Sequence, residues 1–229
     1  MTELKTIITD ESNFADRVDE IDTVKHMKEA RETISELKTL IRKNHMTSLS
    51  APAIGKSQRI FCINFSDSEI KTFINPIIVK AEGMVLSEET SPILPGRRFL
   101  VPRNNKISVM YTRPTGQIES REISGVAAAV FQQENQVLDG ILLSDLGLEI
   151  DSLWDEASQE EKEEVINAYL DSLDIKQKEI DKEIQKDPEL NKINSAIDFM
   201  TKLETGEVKG YDPNEKISHE KKAKSKKKK

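Results

Sequence analysis

The stretch GVAAAVFQQENQVLDG, residues 125–140, has the spacing of an amphipathic helix, with apolar residues at intervals of three and four. The side chains that fall along one side are Val126, Val130, Phe131, Glu134, Val137 and Leu138. Gly140 favours the end of the helix, because glycine readily adopts the left-handed conformation found there. The sequence therefore predicts a helix that turns one carboxylate, Glu134, toward the core together with its apolar side chains.

Segments typical of strands lie before this helix. They are RIFCINF (59–65), TFINPIIV (72–79) and KISVMYT (106–112), and QIESREIS (117–124) follows the turn signal RPTG as a return strand. A first amphipathic helix is predicted over residues 22–44, with Asp22 or Thr23 as its N-cap. The only cysteine, Cys62, lies in the apolar run IFCINF, which favours a small buried hydrophobic residue.

Length and composition bound the class of protein. The 229 residues suffice for one hydrophobic core with an appendage, and 33% of them are charged. We expect no membrane span, because no apolar run is long enough, and no signal peptide, because the N-terminus lacks a basic start and an apolar core. A single cysteine excludes an intramolecular disulfide framework and fits a reducing compartment, so a cytoplasmic location is expected.

The sequence changes character near residue 150. A possible capping box of Ser158 and Glu161 precedes an uninterrupted charged helix to about residue 186. The apolar residues of this helix have heptad-like spacing and are Ile166, Leu170, Leu173, Ile180 and Ile184. Asp187 and Pro188 are typical of the start of a second helix over 188–204. Both apolar stripes fit either docking on the chain's own core or binding to a protein partner.

These patterns predict three parts: a core over 1–148, a helical extension over 149–205, and a disordered Lys-rich tail over 206–229. Seven of the 34 basic residues lie in the last nine positions, so that residues 1–220 carry 27 basic against 41 acidic side chains. A short cationic tail on an acidic body can make nonspecific contacts with nucleic acid or another anionic surface. No aromatic platform accompanies the lysines, so sequence-specific recognition is not expected.

Three motifs in fixed order resemble those of the peptide deformylases. MTSLSAPAIG (46–55) resembles the family's G-x-G-L-A-A-P-Q-I-G, EETSPILPG (88–96) its E-G-C-L-S-x-P-G, and QQENQVLDG (132–140) its Q-H-E-x-D-H-L-x-G. The resemblance covers roughly residues 1–148. It implies an α+β fold, a deformylase-like core in which mixed and antiparallel strands surround the helix that contains Glu134.

The resemblance also implies where the chemistry of the family would lie. Deformylases hydrolyse a formamide with a metal held by one cysteine and two histidines, and the corresponding positions here are Ser91, Gln133 and Val137. The resemblance also gives the two positions whose N–H groups stabilise the oxyanion in the family. In this chain they are Ala53, which has no donor side chain, and Pro92, which has no N–H.

Among the chemical residues of the family, only Glu134 keeps its identity. We expect it to be a hydrogen-bonded structural residue, with Gln133, Gln136 or an arginine as its donor. The remaining imidazoles are His26, His45 and His219, and no two of them are four residues apart, so a rebuilt metal site has little support.

These substitutions lead to the expectation of a pseudoenzyme, without enzymatic activity, metal or cofactor, that acts as a structural, scaffold or binding module. The six positions of the former site would then be vestigial. Two alternatives stay open. One is a phage-encoded virion or assembly protein, located in the host cytoplasm or the virion. The other is a metal-dependent peptide deformylase or hydrolase with a relocated metal site, and a nucleophilic Ser91 would be a variant of it.

Overall fold

A computed structural model describes residues 7–66 and 69–186. The chain divides into one compact unit that ends at Ser158 and a second that begins at Gln159. The first unit contains an antiparallel sheet and four of the helices, so the α+β class predicted from the sequence is confirmed. Within the described ranges, no helix is long and apolar enough to cross a membrane.

The sheet has six strands, all paired antiparallel. They are β1 (Ser48–Ser50), β2 (Ile60–Ser66), β3 (Glu69–Ser91), β4 (Leu94–Thr112), β5 (Ile118–Ser124) and β6 (Leu148–Ile150). Neighbours follow chain order from β1 to β5, and β6 pairs with β4. All four predicted strand segments lie in this sheet.

The long hairpin of β3 and β4 extends well beyond the segments predicted for it. Its strands run for 23 and 19 residues and meet at a two-residue turn of Pro92 and Ile93. Residues 79–85 of β3 are exposed, so this part of the strand lacks the alternation of apolar and polar residues that marks a half-buried strand. The family's second motif thus forms the closed end of the hairpin.

Five α-helices are present in the described chain: α1 (Met27–Asn44), α2 (Val126–Leu138), α3 (Leu143–Leu146), α4 (Ser152–Glu156) and α5 (Gln159–Lys186). The predicted start of α1 is wrong by five residues. The Asp22 carboxylate accepts hydrogen bonds from the backbone N–H groups of Val24 and Lys25, and so it stabilises a turn rather than the helix end. At the other end, His45 adopts a left-handed conformation and closes α1 with an N–H bond to Ile41.

Helix α2 contacts strands β1 to β5 and buries most of its length against them. Of the side chains predicted for its buried side, Phe131, Glu134, Val137 and Leu138 are buried. The prediction is wrong for Val126, which is 80% exposed, and Val130 is half-buried. On one side, Phe131 packs edge-on against Phe61 and Phe73, with ring centroids 5.0 and 5.1 Å apart. Gly140 lies just past the helix end with φ +77°, and a Cβ there would lie 3.0 Å from the carbonyl oxygen of Ala15. Glycine is therefore required both by the turn and by the close approach of the N-terminal segment.

Cys62 is fully buried, as predicted, with Sγ 3.5 Å from Thr72 Oγ1, and burial raises the pKa of its thiol to about 11. The extent of α5 agrees with the charged helix predicted from the sequence. The second predicted helix, the Lys-rich tail and the side chains of Ile180 and Ile184 lie outside the described residues, so the three-part division stays a prediction.

Candidate active site

A pocket of about 390 Å³ lies where the three motifs converge. Its walls are residues 45–48, between α1 and β1, residues 87–90 of β3, and one face of α2. Pro92, at the tip of the hairpin, also lines it. The pocket volume is in the range of small-molecule and peptide side-chain sites. The fold thus assembles one concave site from residues that are up to 88 positions apart along the chain.

Glu134 lies beside this pocket and is only 3% exposed. Its Oε1 atom accepts a hydrogen bond of 2.6 Å from the Ser48 hydroxyl. Burial raises the pKa of Glu134 to about 7, and the hydroxyls of Ser48 and Ser50 oppose the rise. The carboxylate is therefore a proton acceptor whose protonation changes near neutral pH.

Ser48 and Ser50 occupy alternate positions along β1. Side chains two residues apart in a strand share a face, so Ser48 and Ser50 lie on the same face while Leu49 packs into the core on the other. Only Ser48 has hydrogen-bond geometry toward the carboxylate, and only Ser48 lines the pocket. Ser50 is fully buried, and its Oγ has no hydrogen-bond partner in the described structure.

The side-chain amides of Gln133 and Gln136 on α2 form hydrogen bonds with groups other than Glu134. Gln133 Nε2 donates to the backbone carbonyl of Thr90 over 3.0 Å, and Gln136 Oε1 accepts from Arg103. The prediction that Gln133, Gln136 or an arginine would bond Glu134 is therefore wrong. The donor is Ser48, on a strand that the sequence analysis did not connect to this carboxylate.

A buried ion pair includes Glu89, which lines the pocket. Arg103 of β4 donates two hydrogen bonds of 2.7 Å to the two carboxylate oxygens of Glu89 on β3, and both residues are buried. The bidentate geometry compensates each charge for the loss of water. Because Arg103 also bonds Gln136, the pair fixes the hairpin to α2 next to Glu134.

The side chains at the three ligand positions of the family do not fit a metal ion. The Ser91 hydroxyl accepts a bond of 3.3 Å from the Ile93 N–H, Val137 is buried in the hydrophobic core, and Gln133 is used by Thr90. None of the three offers a thiolate or imidazole donor. Over the described residues, no group of three or more His, Cys, Asp or Glu side chains could hold a metal ion.

The two oxyanion positions of the family and the remaining histidines lie in different surroundings. Ala53 is fully buried in a short 3-10 turn (Pro52–Ile54), where its carbonyl accepts from the Ile8 N–H. Pro92 reaches the pocket but has no N–H to donate. His45 lines the same pocket, whereas His26 is exposed and bonded to Glu29, so the two imidazoles are not brought together. His219 lies outside the described residues.

Ser48 is the functional candidate that sequence reasoning missed. It stands where the family motif has its second glycine, and Ser50 stands where that motif has its first alanine. The signal was present in MTSLSAPAIG as two hydroxyls added at alternate positions of a predicted turn. The family motifs indicate the side chains that the family has, and so they do not indicate a hydroxyl that stands where the family has glycine.

A peptide deformylase from Symbiobacterium thermophilum is 34% identical over 119 residues, which cover 51% of this chain and 55% of that protein. The match thus spans about half the length of that relative. One from Dictyoglomus turgidum is 32% identical over 108 residues, or 47% of this chain and 70% of that protein. The crystal structure of a peptide deformylase from Thermotoga maritima superposes with a TM-score of 0.59 at 25% identity, covering 63% of this chain and 97% of that one.

The expectation that this protein is not an enzyme is wrong, because its relatives and structural neighbours are peptide deformylases, which are enzymes. The missing ligand side chains show which groups have changed and do not establish inactivity, since a buried carboxylate, Glu134, is hydrogen-bonded to Ser48, which lines the pocket. The family model of polypeptide deformylase matches residues 5–151, nearly the whole first unit. On this evidence the chain belongs to the peptide deformylase family.

Proposed function

We propose that the chain is a peptide hydrolase that binds the N-terminal end of a peptide in this pocket and removes an N-terminal acyl group, formyl above all, with Glu134 as general base. The observation that carries the proposal is the buried Glu134 carboxylate beside the pocket, which accepts a hydrogen bond from the hydroxyl of Ser48, a residue that lines the pocket. The names of the relatives support the choice of reaction, since they are peptide deformylases.

The strands around the pocket offer backbone groups to an extended peptide. β1 is the end strand of the sheet, and in the described chain it pairs only with β2. β3 pairs with β2 only through residues 69–74, so its edge at residues 87–90 has no strand neighbour on that side among the described residues. A peptide that enters the pocket can therefore form main-chain hydrogen bonds as an added strand.

An apolar wall suits an apolar side chain at the start of such a peptide. Val126, Ala129 and Val130 line the pocket from α2, and Met46 lines it from the opposite segment. Val126 is 80% exposed, which is unusual for a large hydrophobic residue and is explained if a ligand covers it. The wall thus complements a methionine-like residue at the N-terminus of the substrate.

Glu134 is suited to accept a proton in this setting. A general base works best when its pKa lies near the working pH, and burial raises the pKa of Glu134 to about 7. No step requires a metal held at Ser91, Gln133 and Val137, whose side chains do not fit one. The reaction is therefore assigned to groups that the chain itself supplies.

The test measures release of the free amine from N-formylmethionyl-alanyl-serine by the purified full chain. Glu134→Gln keeps the size and the hydrogen bond of the side chain but removes the base, so we expect hydrolysis to fall by at least about 100-fold. Glu32→Gln makes the same change at an exposed position of α1 and serves as the matched control, with unchanged turnover.

Two results would contradict the proposal. One is a wild-type protein that binds the formylated peptide without cleaving it, measured by calorimetry on the same sample. The other is a Glu134→Gln protein that cleaves as fast as the Glu32→Gln control.

A further inference from the structure

Building on the proposed hydrolase function, we propose that Ser48 is its nucleophile, and that Ser48 and Glu134 form a dyad that forms an acyl-serine intermediate without a metal. Nucleophile and base must lie within hydrogen-bond reach, about 2.6–3.2 Å. Ser48 Oγ donates to Glu134 Oε1 over 2.6 Å. Ser48 is also one of the residues that line the pocket, so the dyad lies at the edge of the space that a substrate would occupy.

The position of Ser48 is fixed by its strand. β1 pairs with β2 in a register that places Ser48 opposite Ile63, and the next side chain, Leu49, is anchored in the core. Ser48 is buried at 8% exposure and lines the pocket. A hydroxyl held in one place beside its base needs little reorganisation before attack.

Ser50 lies on the same face of β1 as Ser48, is fully buried, and its Oγ has no hydrogen-bond partner in the described structure. It does not line the pocket, so of the two serines only Ser48 is both bonded to Glu134 and placed at the pocket.

Ser91 is the competing nucleophile from the sequence, and its environment does not support that role. Its hydroxyl accepts from the Ile93 N–H, and no base is bonded to it within the described part of the chain. Ser48 has the base that Ser91 lacks. The Ser48 hydroxyl thus lies in the site where the family motifs have a thiolate and two imidazoles and where this chain has none of them.

The reaction then has two balanced steps. Ser48 Oγ forms a bond to the formyl carbon while its proton moves to Glu134, the carbon–nitrogen bond breaks, and the departing amine takes that proton. Water next attacks the formyl ester as Glu134 accepts its proton, the ester bond breaks, and the proton returns to Ser48 Oγ with release of formic acid. Gln133, which lines the pocket and uses one amide hydrogen for Thr90, has a second hydrogen for the developing oxyanion.

The experiment looks for the acyl-serine directly. The full chain is mixed with N-formylmethionyl-alanyl-serine, quenched in acid within the first turnover, digested and analysed by mass spectrometry. We expect one added formyl group on the peptide that contains Ser48, and a burst of amine release. We also expect Ser48→Ala to lose at least about 100-fold in turnover, and the exposed-site control Ser35→Ala to lose none. Hydrolysis by the wild type should persist in 1,10-phenanthroline.

The outcomes separate this inference from the proposed function. No hydrolysis by the wild type sinks both. Hydrolysis that survives Ser48→Ala in a protein with wild-type circular dichroism, or that leaves no formyl group on Ser48, overturns the nucleophile and leaves the hydrolase in place. Hydrolysis that stops in 1,10-phenanthroline also overturns the metal-free dyad alone. The adduct in the wild type does not depend on how well any variant folds.

Discussion

Glu134 connects the chemistry of the pocket to the stability of the fold. Its pKa is raised from 4.5 to about 7 by burial, so the folded chain holds this proton to a higher pH than the unfolded chain does. The stability contributed by the bound proton is fully present below about pH 4.5 and is lost as the pH rises to about 7. Since one pKa unit corresponds to about 1.4 kcal/mol, the change is about 3 kcal/mol.

Glu134→Gln removes this dependence, because the amide does not titrate. We predict that the free energy of unfolding of the wild type, relative to that of Glu134→Gln, decreases by about 3 kcal/mol between pH 4.5 and pH 7. Urea unfolding of both proteins at a series of pH values measures this difference. Parallel profiles across the range would mean that the carboxylate is not buried as the structure has it.

The hydrogen-bond donor of Glu134 could not be predicted from the sequence. The resemblance implied one site built from the three motifs, and residues of all three motifs line the same pocket. It did not find Ser48, because hydrogen bonds between a strand and a helix 86 residues apart have no local signature. The pairing of these two residues follows from tertiary packing alone.

At the scale of elements, the ion pair of Arg103 and Glu89 joins β3, β4 and, through Gln136, helix α2. Arg103→Met would leave Glu89 buried without its countercharge, and breaking a buried pair in this way costs about 3–5 kcal/mol. We predict a loss of that size in the free energy of unfolding. Restoring balance with Glu89→Gln in the same chain should recover part of it.

Arg98→Met is the matched control for this change. Arg98 pairs with Glu88 and Asp155 over 3.0 and 2.7 Å, but Arg98 is 30% exposed and the two carboxylates 47% and 57%, so solvent screens these pairs and Arg98→Met should cost far less stability than Arg103→Met. Equal losses in the two variants, measured by urea unfolding, would show that burial does not govern the strength of these pairs here.

The elements that sequence predicted well are those with one buried face. The periodicity of α2 predicted its extent and four of its buried side chains, but not that Val126 is exposed. β5 and β2 were predicted within about two residues of their observed bounds. β3 was predicted too short because its residues 79–85 are exposed and carry no alternation. β4 was predicted too short because its added part buries Phe99, Leu100 and Val101 in succession rather than alternately. α1 was predicted to begin too early because Asp22 forms the same side-chain to backbone bonds in a turn as in a helix cap.

At the scale of the whole molecule, the structure gives a physical reason to place the end of the core after residue 148. β6 (Leu148–Ile150) pairs with β4, and Ile150 is buried at 7% exposure. Beyond it, Arg98 bonds the Asp155 carboxylate and the Asp151 carbonyl. Residues 149–158 therefore contribute a strand, a buried side chain and an ion pair to the first unit.

This arrangement predicts different outcomes for two truncations. A chain cut after Ser158 keeps β6 and the contacts of Arg98, so we expect the melting temperature of the wild-type core and full hydrolysis of the formylated peptide. A chain cut after Leu148 loses Ile150, whose burial alone is worth about 1.5–3 kcal/mol, and should melt at a lower temperature. Circular dichroism melting with light scattering on both proteins checks this. If the longer fragment aggregated or lost its hydrolytic activity, the segment after residue 158 would be part of the core, because its apolar stripe would then be covering the chain's own surface.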